Sequence, residues 1–510
     1  MLAKVATATV LGIDGFPVEV EVDLSRGLPS FDLVGLGDTA VKEAKERVRA
    51  AIKNSGFEFP AHRIVINLAP AALKKEGGGF DLPIALGILC AQGLLDQQVL
   101  NRGMASGELA LDGTIRTVRG VLSMALAAAK QGKEYMLIPS GNYAEACVVK
   151  GIKIIPVQDL KEAVTFLQTG REPENPPPVE EIAAAVYSED YADVRGQEAA
   201  KRALEIAAAG GHNILLVGPP GSGKTMLARR LPSILPELNW EEALELTKIY
   251  SIAGLLPAGT SLLKDRPFRS PHHTTTRVGL IGGGTYPRPG EVTLAHHGVL
   301  FLDEFPEFHR EVLVVLRQPL EDGMVTLSRA ALTVVYPSRF MLIAAMNPCL
   351  CGYYRDPVQP CRCTPLEIKR YTSRISGPLL DRIDLMVEVP RLKYEEMATA
   401  GQGESSTVIR QRVVCARRIQ EERYQGRGIY CNAHMRPKES KYYCALDPAG
   451  KRLMARAVQS FRLSARGYER LLRVARTIAD LEGKAKIAPS HLAEALQYRG
   501  LESDFYRQWR

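Results

Sequence analysis

The chain has 510 residues, is 46% hydrophobic and 24% charged, and carries a formal net charge of +8. Those proportions are those of a soluble globular protein with material for about three domains. No uninterrupted apolar stretch reaches the ~18 residues of a membrane span, since the nearest, 80–95, is broken by Asp81 and Gln92. The N-terminus lacks the basic-then-apolar layout of a secretory signal. A cytoplasmic protein with no membrane partner is therefore expected. Nine cysteines, four of them between 349 and 363, do not look like a disulfide framework. The charge is uneven: from Arg391 onward there are 24 Lys/Arg against 13 Asp/Glu. Such a basic block fits either a polyanion partner or a solvated helical surface.

Residues 1–168 alternate short β-type runs (18–22, 63–68, 135–138) with helical ones (39–54, 120–131), which predicts an α/β or α+β domain. Residues 169–190 contain Gly-Arg-Glu-Pro-Glu-Asn-Pro-Pro-Pro at 170–178, a linker that can neither form a helix nor bury a face. Residues 191–390 form an α/β block. Residues 391–510 are rich in Ala, Leu, Arg and Glu at helical spacing, with no convincing strand.

The α/β block carries the chemistry. Gly218, Pro219, Pro220, Gly221, Ser222, Gly223, Lys224 and Thr225 spell G-x-x-x-x-G-K-[ST], and Met226 opens the helical run that follows. Small residues let backbone N–H groups turn inward to cradle phosphate oxygens. Lys224 then reaches the β/γ-phosphates, and the Thr225 hydroxyl is placed to ligate Mg²⁺. The apolar run 213–217 before the loop supplies the buried strand that this arrangement requires. A second apolar run, Val299–Leu302, delivers Asp303 and Glu304. The first acid suits Mg²⁺ and the second suits orienting and deprotonating a water; the plain alternative is two acids capping a loop. A third run, 340–346, ends at Asn347-Pro348, where an amide beside the γ-phosphate and an ordinary Asn-Pro turn are equally open. Arg374, Arg382 and Arg466 read as surface arginines from the sequence alone.

In order, these residues resemble the magnesium-chelatase-like AAA+ ATPases of the ComM/YifB family. The specific stretches are Asp-Val-Arg-Gly-Gln at 193–197, Pro-Phe-Arg-Ser-Pro-His-His-Thr at 267–274, Pro-Gly-Glu-Val-Thr-Leu-Ala-His-His-Gly at 289–298 and Leu-Arg-Gln-Pro-Leu-Glu at 316–321. The resemblance covers nearly the whole chain. It implies a P-loop core at 191–390 with pore insertions, and a basic helical lid like the magnesium chelatase C-terminal domain at 391–510. It also implies ATP and Mg²⁺ as cofactors. It makes Asn347 the first sensor, Arg382 an arginine finger acting in the neighbouring subunit with Arg374 in reserve, and Arg466 a second sensor on the lid. A finger acting in trans implies a homo-hexamer. The run 325–335 reads as a β-hairpin with Arg329 near its tip; in related DNA motors such a hairpin contacts the backbone, the alternative being a structural hairpin.

The first domain resembles the Lon protease catalytic fold, which implies the α+β class, but lacks its catalytic dyad. Gly79 stands where that pattern has its serine, and Leu122 best matches the lysine. Without nucleophile and base there is no acyl chemistry. Cys349, Cys351, Cys361 and Cys363 form a C-x-C…C-x-C set whose natural completion is tetrahedral zinc, against free thiols in a structured loop. The pairs His272/His273 and His296/His297 suit pore-loop or packing roles better than metal binding. The implied function is a hexameric ATP-driven motor on single-stranded or branched DNA, a helicase promoting branch migration in recombination or natural transformation. The alternative is a protein-remodelling ATPase resembling the magnesium chelatase motor subunit.

Overall fold

In the computed structural model, the described residues are 1–35, 43–73, 75, 77–173, 178, 189–284, 287–329, 332–392, 403–461 and 463–500, with only the backbone described at 329 and 332. Most of the expected linker at 169–190 lies outside them. Two compact units emerge: Met1–Ala184 with Asn239–Lys264, and Ala185–Leu238 with Asp265–Arg510. The division departs from a simple left-to-right reading, because Asn239–Lys264 lies within the block expected to be the ATPase core.

The first unit opens with a hairpin of β1 (Leu2–Leu11) and β2 (Asp14–Ser25), paired from Leu2↔Asp23 to Leu11↔Asp14. On β2, Val18, Val20 and Val22 are buried while Glu19 is exposed, the period of two expected of a sheet with one face on the core. β4 (Arg63–Ala69) pairs antiparallel with β2 and parallel with β3 (Ser30–Val34), giving the order β1-β2-β4-β3. The helix Asp81–Ala91 is buried along its whole length. A Cβ at Gly87 would meet Val22 Cγ2 at 2.6 Å, so glycine permits this close helix–sheet approach. Burial pushes the Asp81 carboxyl up to about 6 although Arg47 pairs with it at 2.7 Å. A parallel sheet of β5 (Gly103–Ala105), β8 (Tyr135–Pro139) and β9 (Lys153–Val157) and a short ladder of β6 (Glu108–Leu109) and β7 (Ile115–Arg116) complete the strands. The helix Trp240–Ala253 belongs here: Ser251 Oγ accepts from the Gly120 amide at 3.0 Å and bonds to Glu145, and Lys248 pairs with Asp14 at 2.6 Å. Gly79 and Leu122 offer no nucleophile or base. The nearby Lys75 is buried, its ammonium donating to the carbonyls of Leu68 and Pro70.

The second unit is built on an all-parallel sheet in the order β11-β14-β17-β10-β18, with β11 Phe268–Arg269, β14 Val299–Leu302, β17 Met341–Met346, β10 Ile214–Val217 and β18 Leu385–Glu388. β10, β14 and β17 are buried throughout, as continuous apolar runs covered on both faces must be. A two-residue ladder joins β12 (Gly282–Gly283) to β13 (Arg288–Pro289). The expected hairpin forms from β15 (Met324–Arg329) and β16 (Leu332–Pro337), with Arg329 opposite Leu332. From Ser406 onward the regular elements among the described residues are helical, chiefly Ser406–Tyr424, Pro448–Phe461, Ala465–Leu481 and Pro489–Gln497. No helix among the described residues is long and apolar enough to cross a membrane.

Candidate nucleotide-hydrolysis site

β10 lies between β17 and β18, and its C-terminal end feeds the phosphate loop. Gly218 must be glycine, since a Cβ there would meet the Val389 carbonyl at 2.1 Å. Gly221 (φ 75°) and Gly223 (φ 93°) take the left-handed backbone that turns the loop into the helix Lys224–Arg229. Lys224 is buried, and its Nζ donates to the carbonyls of Gly218 (2.7 Å) and Pro219 (2.9 Å) and to Asn347 Oδ1 (3.2 Å). Burial lowers its pKa to about 8, with Asp303 pulling the other way. The Ser222 hydroxyl is buried without a partner in the protein. A buried ammonium short of negative charge, beside an unsatisfied hydroxyl, fits the oxygens of a polyphosphate.

Asp303 follows β14 directly. Its Oδ2 accepts from Thr225 Oγ1 at 2.7 Å and its Oδ1 from the Glu304 amide at 2.9 Å. The two oxygen donors expected to share Mg²⁺ are thus already adjacent. Glu304 takes φ 51° and ψ 44°, a left-handed conformation uncommon for a non-glycine residue and often found at functional turns. Its carboxylate lies 3.2 Å from His273 Nδ1. Lys224 with Asn347 and Thr225 with Asp303 therefore form two hydrogen-bonded pairs side by side at the C-terminal ends of three strands, with Glu304 next to Asp303.

The arginines lie elsewhere. Asn213, immediately before β10, donates its side-chain amide to the Arg382 carbonyl at 2.9 Å and accepts from the Leu342 amide at 2.8 Å. Arg382 is therefore at the N-terminal end of the sheet, one strand length (~13 Å) from the phosphate loop. Its guanidinium and that of Arg466 converge on one carboxylate, Glu321, with Arg466 at 3.1 Å. They border a cavity of about 550 Å³ to which Arg339, Arg436, Arg470 and Arg473 contribute alongside the acids Asp322, Asp381, Asp384 and Glu469. Arg382 Nε is buried and without a partner. Arg466, expected as a sensor for the lid, thus sits with the expected finger and apart from its own phosphate loop. Arg374 instead pairs with Glu307 at 2.7 Å, one turn past Glu304. Arg329 ends β15, and its side chain lies outside the described residues.

The magnesium chelatase subunit ChlI family model matches residues 190–397, its companion for subunit ChlI of Mg-chelatase matches 20–142, and the ChlI C-terminal model matches 403–499. The chain is 46% identical over 506 residues to competence protein ComM of Haemophilus influenzae, covering 98% of each chain. It is 44% identical over 502 residues to YifB of Escherichia coli K12, covering 98% of this chain and 97% of that one. The chain belongs to the ComM/YifB family of magnesium-chelatase-like proteins. Lon protease 2 of Bacillus subtilis is 32% identical over 161 residues, 30% of this chain and 28% of that one, which hints at a related domain. For a ComM/YifB protein, the magnesium-chelatase-type AAA+ core implies use of ATP and Mg²⁺.

All nine cysteines of this ComM/YifB chain are free. Cys349, Cys351, Cys361 and Cys363 bring their sulfurs within 4.8 Å of one another. Two polar residues beside the phosphate chemistry make contacts that the sequence reading does not foresee. His273 meets Glu304. Gln197, in the left-handed region at φ 59°, donates to the Pro390 carbonyl at 2.6 Å and the Ser222 carbonyl at 3.4 Å, tying the loop to the strand end beside it. Both lie in stretches singled out by the family resemblance, but only the fold shows what they touch.

Proposed function

We propose that this chain is a Mg²⁺-dependent ATPase that works as a homo-hexameric ring and drives single-stranded or branched DNA, as a helicase promoting branch migration in recombination or natural transformation. The observation that carries the reading is the division of candidate hydrolysis residues between opposite ends of one parallel sheet. Lys224, Thr225, Asp303 and Asn347 gather at one end, and Arg382 with Arg466 at the other. A guanidinium about one strand length from its own phosphate loop can serve only a loop on another copy.

Within such a site Lys224 and the loop amides bind the phosphates, and Thr225 and Asp303 hold the metal. Bound Mg²⁺ supplies neutralisation of phosphate charge. Glu304 takes a proton from the attacking water, Asn347 orients that water, and Arg382 stabilises charge on the transferred group. DNA as the load is supported by the competence protein among the relatives, the basic block after Arg391, and the β15–β16 hairpin with Arg329 near its tip.

Steady-state ATPase with and without single-stranded or branched DNA, at two salt concentrations, tests the load. Stimulation that fades as salt rises is expected. Absence of both stimulation and salt-sensitive DNA binding would overturn the DNA reading and favour a protein-remodelling ATPase.

A further inference from the structure

The loop between β17 and the helix Pro365–Thr372 holds the four cysteines. Cys349 Sγ lies 3.3 Å from Cys351 Sγ and 3.7 Å from Cys361 Sγ, and Cys351 Sγ lies 3.6 Å from Cys361 Sγ. A tetrahedron of sulfurs at the usual ~2.3 Å from zinc has edges of about 3.8 Å, so these separations suit one ion and are too close for a multinuclear cluster. Backbone donors also face the sulfurs. The Cys351 amide donates to Cys363 Sγ and the Cys363 amide to Cys361 Sγ, each at 3.4 Å. Such N–H···S bonds orient and stabilise sulfur ligands from outside the coordination sphere.

This loop also touches the nucleotide machinery. It begins at Asn347 itself, and its first cysteine, Cys349, comes two residues later. Its turn at Gly352 (φ 89°) approaches so closely that a Cβ there would meet Pro220 Cδ at 2.6 Å and Asn347 Cγ at 3.9 Å. Pro220 is in the phosphate loop, so the cysteine-bearing turn is wedged against both Asn347 and the loop.

We propose that Cys349, Cys351, Cys361 and Cys363 bind one zinc ion, and that the closed loop holds Asn347 and the phosphate loop at the spacing that ATP turnover needs. The metal half stands on the sulfur geometry alone; the coupling half rests on the ATPase reading above. Asn347 and Pro220 become the points through which the zinc loop acts, and the cysteines are positioning residues rather than catalytic ones.

The test uses the purified full chain. Metal analysis should find about one zinc per chain, and exchange with Co²⁺ should give the sulfur-to-cobalt charge-transfer bands of a tetrahedral thiolate site. Folded protein that is metal-free and gives no such bands overturns the site. Zinc is then removed from the wild-type chain with a mercurial, reversed by thiol, and a Cys361→Ser/Cys363→Ser variant provides a second route if it folds. Loss of metal should lower kcat at least about tenfold while KM for ATP changes less, because misplacing an orienting group by ~1 Å harms turnover more than binding. Zinc should restore the rate. Unchanged kcat in zinc-free, folded protein overturns the coupling. A zinc-loaded wild type without any ATPase activity would overturn the ATPase reading and the coupling with it, and leave the metal site standing.

Discussion

The two ends of the five-stranded sheet differ in kind. At the C-terminal end the polar side chains bond to one another: Lys224 to Asn347, and Thr225 to Asp303. At the N-terminal end several arginines border a cavity, and Arg382 and Arg466 share the single carboxylate of Glu321. The first end is preassembled, with Asp303 and Glu304 beside the single ammonium of Lys224; the second gathers arginines with acids among them, and this copy's own phosphate loop does not meet Arg382 or Arg466. In the proposed account they are complementary halves of one site.

Removing the guanidinium should have the largest effect. Arg382→Ala is expected to lower kcat about 10³-fold or more while ATP still binds, because a transition-state arginine is worth that much in phosphoryl transfer. Turnover within tenfold of wild type would detach Arg382 from the reaction. Glu304→Gln comes next, with ATP binding retained and kcat down about 10²-fold to 10³-fold, the usual contribution of a general base. Normal turnover would put the base elsewhere. His273→Ala should act in the opposite direction and weakly. The exposed Glu304–His273 contact holds the carboxylate by about 1 kcal/mol at most, so freeing it should raise basal turnover no more than about fivefold. A fall in rate would instead place His273 in the turnover machinery.

The smallest effect is a proton. Burial holds the Lys224 pKa at about 8 in the nucleotide-free chain, and phosphate oxygens beside it would raise that value. At pH 8, ATP binding should therefore take up about half a proton per site, falling toward zero near pH 6.5. Calorimetry in buffers of differing ionisation enthalpy measures it. No uptake at pH 8 would mean that Lys224 is not desolvated as its contacts suggest.

Much of the first half was legible in the sequence, because its signals are local. The apolar runs at 213–217, 299–302 and 340–346 became β10, β14 and β17, whose burial on both faces requires continuous hydrophobicity. The glycines of the phosphate loop sit where the turn needs positive φ or close approach. The second half was hidden, because its partners lie far apart in the chain. Glu321 accepts from arginines at 382 and 466, and no spacing rule links such positions. Distance also concealed the place of Trp240–Ala253, whose anchor at Gly120 comes over a hundred residues earlier. β1 went unread as a strand although Ala3 and Val5 alternate inward, since its pairing is seen only once β2 lies against it. His273 is the instructive miss: a histidine pair at 272–273 suggests pore or packing, and only the fold brings Glu304 to it.

The central claim is that a complete site needs both ends, from two copies of the chain. The most direct test mixes two variants that are each inactive, Lys224→Ala, which spoils the phosphate loop, and Arg382→Ala, which spoils the guanidinium. In mixed rings some interfaces pair an intact loop with an intact arginine, so ATPase activity should reappear and vary with the mixing ratio. Mixtures that stay as inactive as the separate variants, under conditions where the subunits exchange, would contradict the account.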